Sequence, residues 1–303
     1  MSNPAKMLIK KENPSNAYKG IMHIGKGSFG DVYQATNEAN QTVAIKRMEK
    51  DPFSYQEIEH TLKSQHANVV KVLDVYEWED GLYLVMECYN ADLFDFVAQH
   101  KLNDWQIKKI FLQVLESVEH VHSVGVFHRD VKPENILLDS DLGVHLCDFG
   151  LSTHQPVSDE SGVGSISYMA PEVISGTFYS PEKADIWSLG ITLMKMILGK
   201  VPWQEASKDD PDYFKFNFYP ETFRRSVGIS KEAFKLLRKA LNSNPTRRLS
   251  IQQFIIQFNS CLKLTEDQIP HKIAYWDEMS SLEMSLPFAS CSPVSNISQV
   301  LVK

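Results

Sequence analysis

His128-Arg129-Asp130-Val131-Lys132-Pro133-Glu134-Asn135 sets a carboxylate, an ammonium and a carboxamide on one short stretch of chain. Few chemistries call for that set. A loose phosphoryl-transfer transition state needs little covalent help: one residue aims the attacking hydroxyl, and others hold metal ions and spread charge. Asp130, Asn135 and Lys132 suit those tasks in that order. Taken alone, the octet also fits a polar turn between apolar segments, because Pro, Asp and Asn favour turns for local reasons.

The surrounding motifs decide between the two. Gly25, Gly27 and Gly30 come first, with Val32 shortly after; Val43, Ala44, Ile45 and Lys46 follow; Asp148, Phe149 and Gly150 come after the octet, then Ala170, Pro171 and Glu172. In identity, order and approximate spacing this series resembles the eukaryotic protein kinase family, serine/threonine type, across most of the chain. The resemblance implies an α+β, two-lobed fold, with an N-lobe of five antiparallel strands plus one helix and a mainly helical C-lobe. It also implies transfer of the γ-phosphate of Mg-ATP to Ser or Thr hydroxyls of protein substrates, with ATP and Mg²⁺ as cofactors. The run Gly162 to Ala170 is similar to that of fungal kinases governing nutrient response and entry into meiosis.

Periodicity agrees with that layout. Residues 21–24, 31–35, 42–46, 69–76 and 82–87 carry β-branched and aromatic clusters, and Asp80-Gly81 is a tight-turn pair. Helical spacing covers 53–64, 105–122, with Ile107, Ile110, Phe111, Val114, Leu115 and Val118 as its core stripe, then 183–199 and 231–241. The expected organisation is a poorly ordered lead-in over 1–17, a catalytic domain over 18–259 (N-lobe 18–87, C-lobe 90–259) and a flexible Ser-rich tail over 260–303.

Composition narrows the class. A formal net charge of −7 with no long Lys/Arg run argues against nucleic-acid binding and suits a basic peptide substrate. Cys88, Cys147, Cys261 and Cys291 lack metal or disulfide spacing, which favours a reducing compartment, cytoplasmic or nuclear. No apolar run reaches the roughly twenty residues that span a bilayer. A monomer that does not engage membranes is expected.

The Gly25 to Gly30 run lies between strands, which separates it from a dinucleotide fingerprint; glycines there admit phosphate close to backbone amides, although an ordinary hairpin turn reads similarly. Ile24, Val32 and Ala44 are expected to line the nucleotide site beside it. Lys46 on an apolar strand needs anionic partners. The resemblance gives it the α and β phosphates and a helix glutamate, Glu57 by counting back from His66 to Val70, with Glu59 as the second candidate. That glutamate follows Lys46 closely, so the connection is short and should restrain the helix from swinging outward.

The resemblance places Met86 at the gatekeeper position and lets Glu87, Cys88 and Tyr89 offer backbone groups to adenine, with the hinge register open by one residue. Asp92 either reaches ribose or a basic substrate residue, or caps the helix that follows. Asp130 would accept the substrate hydroxyl's proton, Lys132 neutralise the γ-phosphate, and Asn135 and Asp148 ligate Mg²⁺ as hard oxygen donors. Cys147 reads as a small buried residue. Arg129 would meet a phosphate on the activation segment, at Ser161 by the resemblance, unless Asp159 or Glu160 substitutes for it. Ser165 stands where Thr is usual, and its hydroxyl could bond Asp130 and Lys132. Glu172 should pair with Arg248, and Asp185 should brace the Asp130 loop. Glu134, with Asp92, faces where residues before the phosphorylated hydroxyl would run, implying Arg or Lys two or three positions upstream.

Two rival functions are disfavoured by the residues present. A pseudokinase scaffold usually lacks one of Lys46, Asp130, Asn135 and Asp148, and all are present. A small-molecule phosphotransferase fits poorly with Lys132 and the full segment from Asp148 to Glu172.

Overall fold

The structure is a computed structural model that describes residues 9–27, 30–79 and 81–266. Its first part comprises β1 (Ile9–Lys10), β2 (Tyr18–Gly27), β3 (Gly30–Asn37), β4 (Thr42–Met48), α1 (Pro52–Lys63), β5 (Val72–Trp78) and β6 (Gly81–Glu87). These strands make one six-stranded sheet in the order β1-β5-β6-β4-β3-β2. The sequence predicts five strands and a loose lead-in, and the sixth strand comes from that lead-in. Ile9 and Lys10 pair in parallel with Val75 and Tyr76, and Lys10 Nζ lies 2.5 Å from Asp74. A two-residue strand has no periodicity to read, so only the ion pair and the pairing reveal it.

Strand alternation gives the sheet two apolar faces. Val43 and Ile45 pack outward with Tyr18, Ala35, Tyr76 and Val85. Met48, Val75, Leu82 and Leu84 pack the other way, against Ile58 of α1. Asp51 caps α1 by accepting the Ser54 amide at 2.9 Å, and Pro52 fits the first turn, where its missing N–H is not needed. Only Glu49, Lys50 and Asp51 separate β4 from α1.

The second part runs β7 (Ala91–Asp92), α2 (Leu93–Gln99), α3 (Asp104–Ser123), β8 (Ile136–Leu138), β9 (Val144–Leu146), α4 (Pro171–Ile174), α5 (Pro181–Leu198), α6 (Pro211–Phe218), α7 (Pro220–Val227), α8 (Lys231–Ala240) and α9 (Ile251–Ser260). Strands β7, β8 and β9 form a small second sheet whose ends carry the Asp130 and Asp148 segments. The α3 stripe is wholly buried, as its spacing predicts, and Phe111 meets the rings of Phe254 and Phe258 on α9. Helix α5 is buried nearly all round, from Ala184 to Met196, and Asp185 on it holds the backbone of the 128–135 loop.

The expected boundary at 260 needs correction. Leu264 is fully buried, its amide donates to Asp104 Oδ2 at 2.8 Å, and its carbonyl accepts the Ser230 amide at 3.0 Å. Ser28, Phe29, Asp80 and Cys291 lie outside the described residues, as do the aromatic pair Tyr275-Trp276, Ser292 before Pro293, and the glycosylation triplet from Asn296 to Ser298.

Candidate active site

The upper wall of the cleft is one face of the sheet. Val32 and Leu84 flank Lys46 across β3 and β6, and Ala44 stands opposite Met86, so alternation turns all five the same way. Ile24 sits where the β2–β3 register shifts, between His23 and Gly25, and Gly25 pairs with Val32. Gly30 has φ +149°, and a Cβ there would collide with the Arg47 carbonyl. Glycine at 30 is therefore demanded by sheet packing, independently of any phosphate.

Lys46 Nζ donates to Glu57 Oε1 at 2.5 Å and to Asp148 Oδ1 at 2.8 Å. Glu57, not Glu59, is the helix glutamate that reaches it. Burial opposes the Lys46 charge, but Asp148 and Glu57 outweigh it and hold the ammonium above its ordinary range. One cation is thus shared by two carboxylates. Asp148 lies below the usual carboxylate range because Lys46 overcomes its burial, whereas burial raises the deeper Glu57 despite Lys46.

Below the cleft, Asp130 is 7% exposed and gathers three groups: Lys132 Nζ at 2.7 Å from Oδ2, the Asn135 side-chain amide at 3.2 Å from Oδ2, and the Ser165 backbone amide at 3.0 Å from Oδ1. The Ser165 hydroxyl accepts from Lys132 at 2.8 Å. Ser165 therefore reaches Asp130 through its backbone, not through the hydroxyl expected from sequence. Gly164, at φ +102°, leaves room for this approach, since a Cβ there would lie 2.7 Å from the Arg129 carbonyl oxygen. Arg129 and Asp148 hold the left-handed conformation at φ 66° and 62°, a strain that concentrates where geometry matters most.

Asp185, fully buried on α5, accepts the His128 and Arg129 amides at 2.9 and 2.7 Å and faces His122 Nε2 at 2.8 Å. His128 contacts the Cys147 carbonyl at 3.0 Å, and its ring packs 5.0 Å from that of buried Phe149. Burial pushes the Cys147 thiol up, in keeping with an inert role. Glu172 and Arg248 form a two-pronged pair at 2.5 and 2.6 Å.

At the hinge, the Glu87 amide is committed to the Lys71 carbonyl at 3.0 Å. The Tyr89 ring stacks on His145 at 4.0 Å and its hydroxyl donates to Glu87 at 3.0 Å. What these residues can offer a nucleotide is backbone, because their side chains are engaged with each other. Asp92 caps α2 by accepting the Asp95 amide at 2.7 Å, and burial pushes its carboxyl up to about 6.

Arg129 donates through Nε to the Leu151 carbonyl at 2.6 Å and through Nη1 to Glu160. Of the two acids weighed at this position, Glu160 makes the contact. Ser161 is exposed, with Gly176 across from it.

Sequence reading missed two features. His60, one turn beyond Glu57 on α1, faces Ser152 Oγ at 2.8 Å, and Gln56 donates to the Ser152 carbonyl at 2.9 Å, which ties α1 to the segment after Asp148. Their spacing around Glu57 on one helical face was the available signal. Lys195, the one charged residue in the stretch 186–198 of α5, was the second: it is 6% exposed, with Nζ 3.5 Å from the Phe94 ring centre.

The donor set suits Mg²⁺. Asn135 spends its NH₂ on the Asp130 carbonyl and carboxylate, which turns its amide oxygen away from them, and Asp148 engages Lys46 through only one oxygen. Magnesium takes one or two protein oxygens alongside phosphates and water. Among the described residues no group of three or more His, Cys, Asp or Glu forms a metal cage, and none is needed for such a site.

A family model described as the protein kinase domain matches residues 18–257. The chain is 31% identical over 302 residues to the "Negative regulator of sexual conjugation and meiosis" of Schizosaccharomyces pombe, covering 85% of this chain and 64% of that one. It is 36% identical over 246 residues to "CBL-interacting protein kinase 15" of Oryza sativa, covering 76% and 56%. To the "Carbon catabolite-derepressing protein kinase" of Saccharomyces cerevisiae it is 31% identical over 267 residues, covering 84% and 42%. The chain thus spans less than two thirds of the length of each of these relatives. Two of them are fungal, in line with the resemblance read from Gly162 to Ala170.

Proposed function

The chain belongs to the protein kinase family, and on that premise we propose that it is an ATP-dependent serine/threonine kinase acting on protein substrates. The observation that carries this is the Asp130 carboxylate, held by Lys132 at 2.7 Å and by the Ser165 amide at 3.0 Å. A carboxylate so fixed can accept the proton of a substrate hydroxyl, and a positioned base contributes about 10² to 10⁴ in rate. Lys132, already beside Asp130, meets charge gathering on the transferred group. Lys46, clamped by Glu57 and Asp148, presents its ammonium to the phosphates of ATP. Asn135 and Asp148 would hold Mg²⁺, which neutralises phosphate charge when bound.

We further propose that substrates carry Arg or Lys two or three positions before the target hydroxyl. Glu134 and Asp92 support this: Asp92 feels the charge of Glu134 and Glu134 that of Asp130, which puts the three acids close together beside the catalytic loop. Glu160, which already engages Arg129, acts as a standing substitute for phosphate on Ser161.

The test is transfer of labelled γ-phosphate from Mg-ATP to a mixed basic peptide pool by the full chain and by Asp130→Ala. Transfer by the wild type, reduced by about 10² or more in the variant, is the expected result. A wild type that binds ATP but transfers nothing would turn the reading to a scaffold.

A further inference from the structure

Glu134 is the residue between Pro133 and Asn135 in the catalytic loop, and its Oε2 is buried without a hydrogen-bond partner. Buried carboxylate oxygens are nearly always satisfied, so an orphan one beside a catalytic base marks a place kept for something else. Two neighbours define that place. Asp92 caps α2, and Phe94 in the first turn of α2 offers its ring face to the Lys195 ammonium at 3.5 Å. The Lys195 charge is felt by Glu134 and feels Asp92 in turn. Among the described residues, neither carboxylate closes an ion pair with it.

We infer that Lys195 is a specificity-determining residue: its ammonium stands as a built-in cation in the acidic subsite of Glu134 and Asp92, where it competes with a basic side chain of the substrate. The inference rests on the protein-substrate reading above. The Phe94 ring face favours a desolvated ammonium over it, which helps hold Lys195 there without a direct salt bridge. With Lys195 in place, two carboxylates and one ammonium leave a single net negative charge for an incoming arginine. Without it, the arginine meets both carboxylates unopposed. The chain therefore accepts an upstream basic residue but discriminates for it less than its two acids alone would allow.

The experiment compares kcat/KM of the full chain for peptides with Arg or Ala at each of the two upstream positions, in the wild type and in Lys195→Met, whose stem still covers Phe94. The Arg-to-Ala ratio is expected to rise roughly three- to tenfold in the variant. The rise should vanish when Glu134→Gln is added, a coupling that a purely packing role of Lys195 would not produce. If Lys195→Met does not fold, Lys195→Gln removes the same charge and carries the same expectation. A wild type that prefers arginine, with a ratio unmoved by either variant, overturns the inference and leaves the basic-substrate reading intact. Ratios near one in every protein overturn both.

Discussion

Glu57 follows Lys46 by only 11 positions, yet its carboxylate reaches the lysine ammonium at 2.5 Å across the gap between α1 and β4. The short connection and the closed pair belong together. With only three positions between strand and helix, the last of them the Asp51 cap ahead of Pro52, α1 has little slack to rotate away from the cleft.

Lengthening that connection should therefore loosen the pair. Four Gly or Ser residues inserted between Glu49 and Lys50 are expected to lower kcat several-fold while thermal stability changes little, because loop closure grows only slowly with length. Steady-state kinetics on the insertion variant check this. Unchanged kcat would show that packing of Ile58 on the sheet, not the short tether, holds the helix in.

Arg129 engages Glu160, which on the proposed reading stands in for a phosphate on Ser161. Ser161→Ala should then stay active, and Glu160→Gln should lose roughly tenfold, the size of one charge-assisted bond. A wild type that needs phosphorylation of Ser161, read by mass spectrometry alongside activity, would reverse the assignment.

Much of this was legible in the chain. The order of the glycine, lysine, aspartate and asparagine motifs resembles the protein kinase family, and through that resemblance Lys46, Asp130, Asn135 and Asp148 could be placed before their distances were known. The long amphipathic α3 could be read from its own stripe, because helical periodicity is a local property. Features that depend on tertiary approach could not. The parallel strand at Ile9–Lys10 is too short to have a period, and Leu264 sits in an aperiodic segment pinned by Asp104 from the start of α3. The choice between Asp159 and Glu160 rested on which one the fold turns toward Arg129. Lys195 was hidden because one charge in the mostly apolar C-terminal half of α5 has no pattern of its own.

His60 links stability to pH. Burial first, then the positive fields of His154, Lys63 and Arg129, lower it from 6.5 to about 4. The folded state keeps this imidazole neutral while the unfolded chain protonates it, so its contribution is whole above 6.5 and is lost as pH falls toward 4. The loss amounts to on the order of 3 kcal/mol. Urea unfolding between pH 7 and pH 4.5 should show this slope, and His60→Asn, which keeps a polar group facing Ser152, should flatten it. A slope identical in the variant would mean that other groups carry the acid sensitivity.

Arg248 and Glu172 are both nearly buried, their pair is two-pronged, and the guanidinium also lies 4.9 Å from the Trp187 ring centre and donates to the Lys183 carbonyl at 2.9 Å. Removing one partner strands a charge in a dry site. Arg248→Met should destabilise the fold by about 3–5 kcal/mol, as broken buried pairs do. Replacing both, as Glu172→Leu with Arg248→Met, should recover a large part of that, because no lone charge is left behind, although the Asn242 and Lys183 carbonyls also lose their donor. Urea midpoints of the two single variants and the double variant decide the matter. A double variant as unstable as the sum of the singles would show that Arg248 acts mainly through those carbonyls and the Trp187 ring, and that its pairing with Glu172 is incidental.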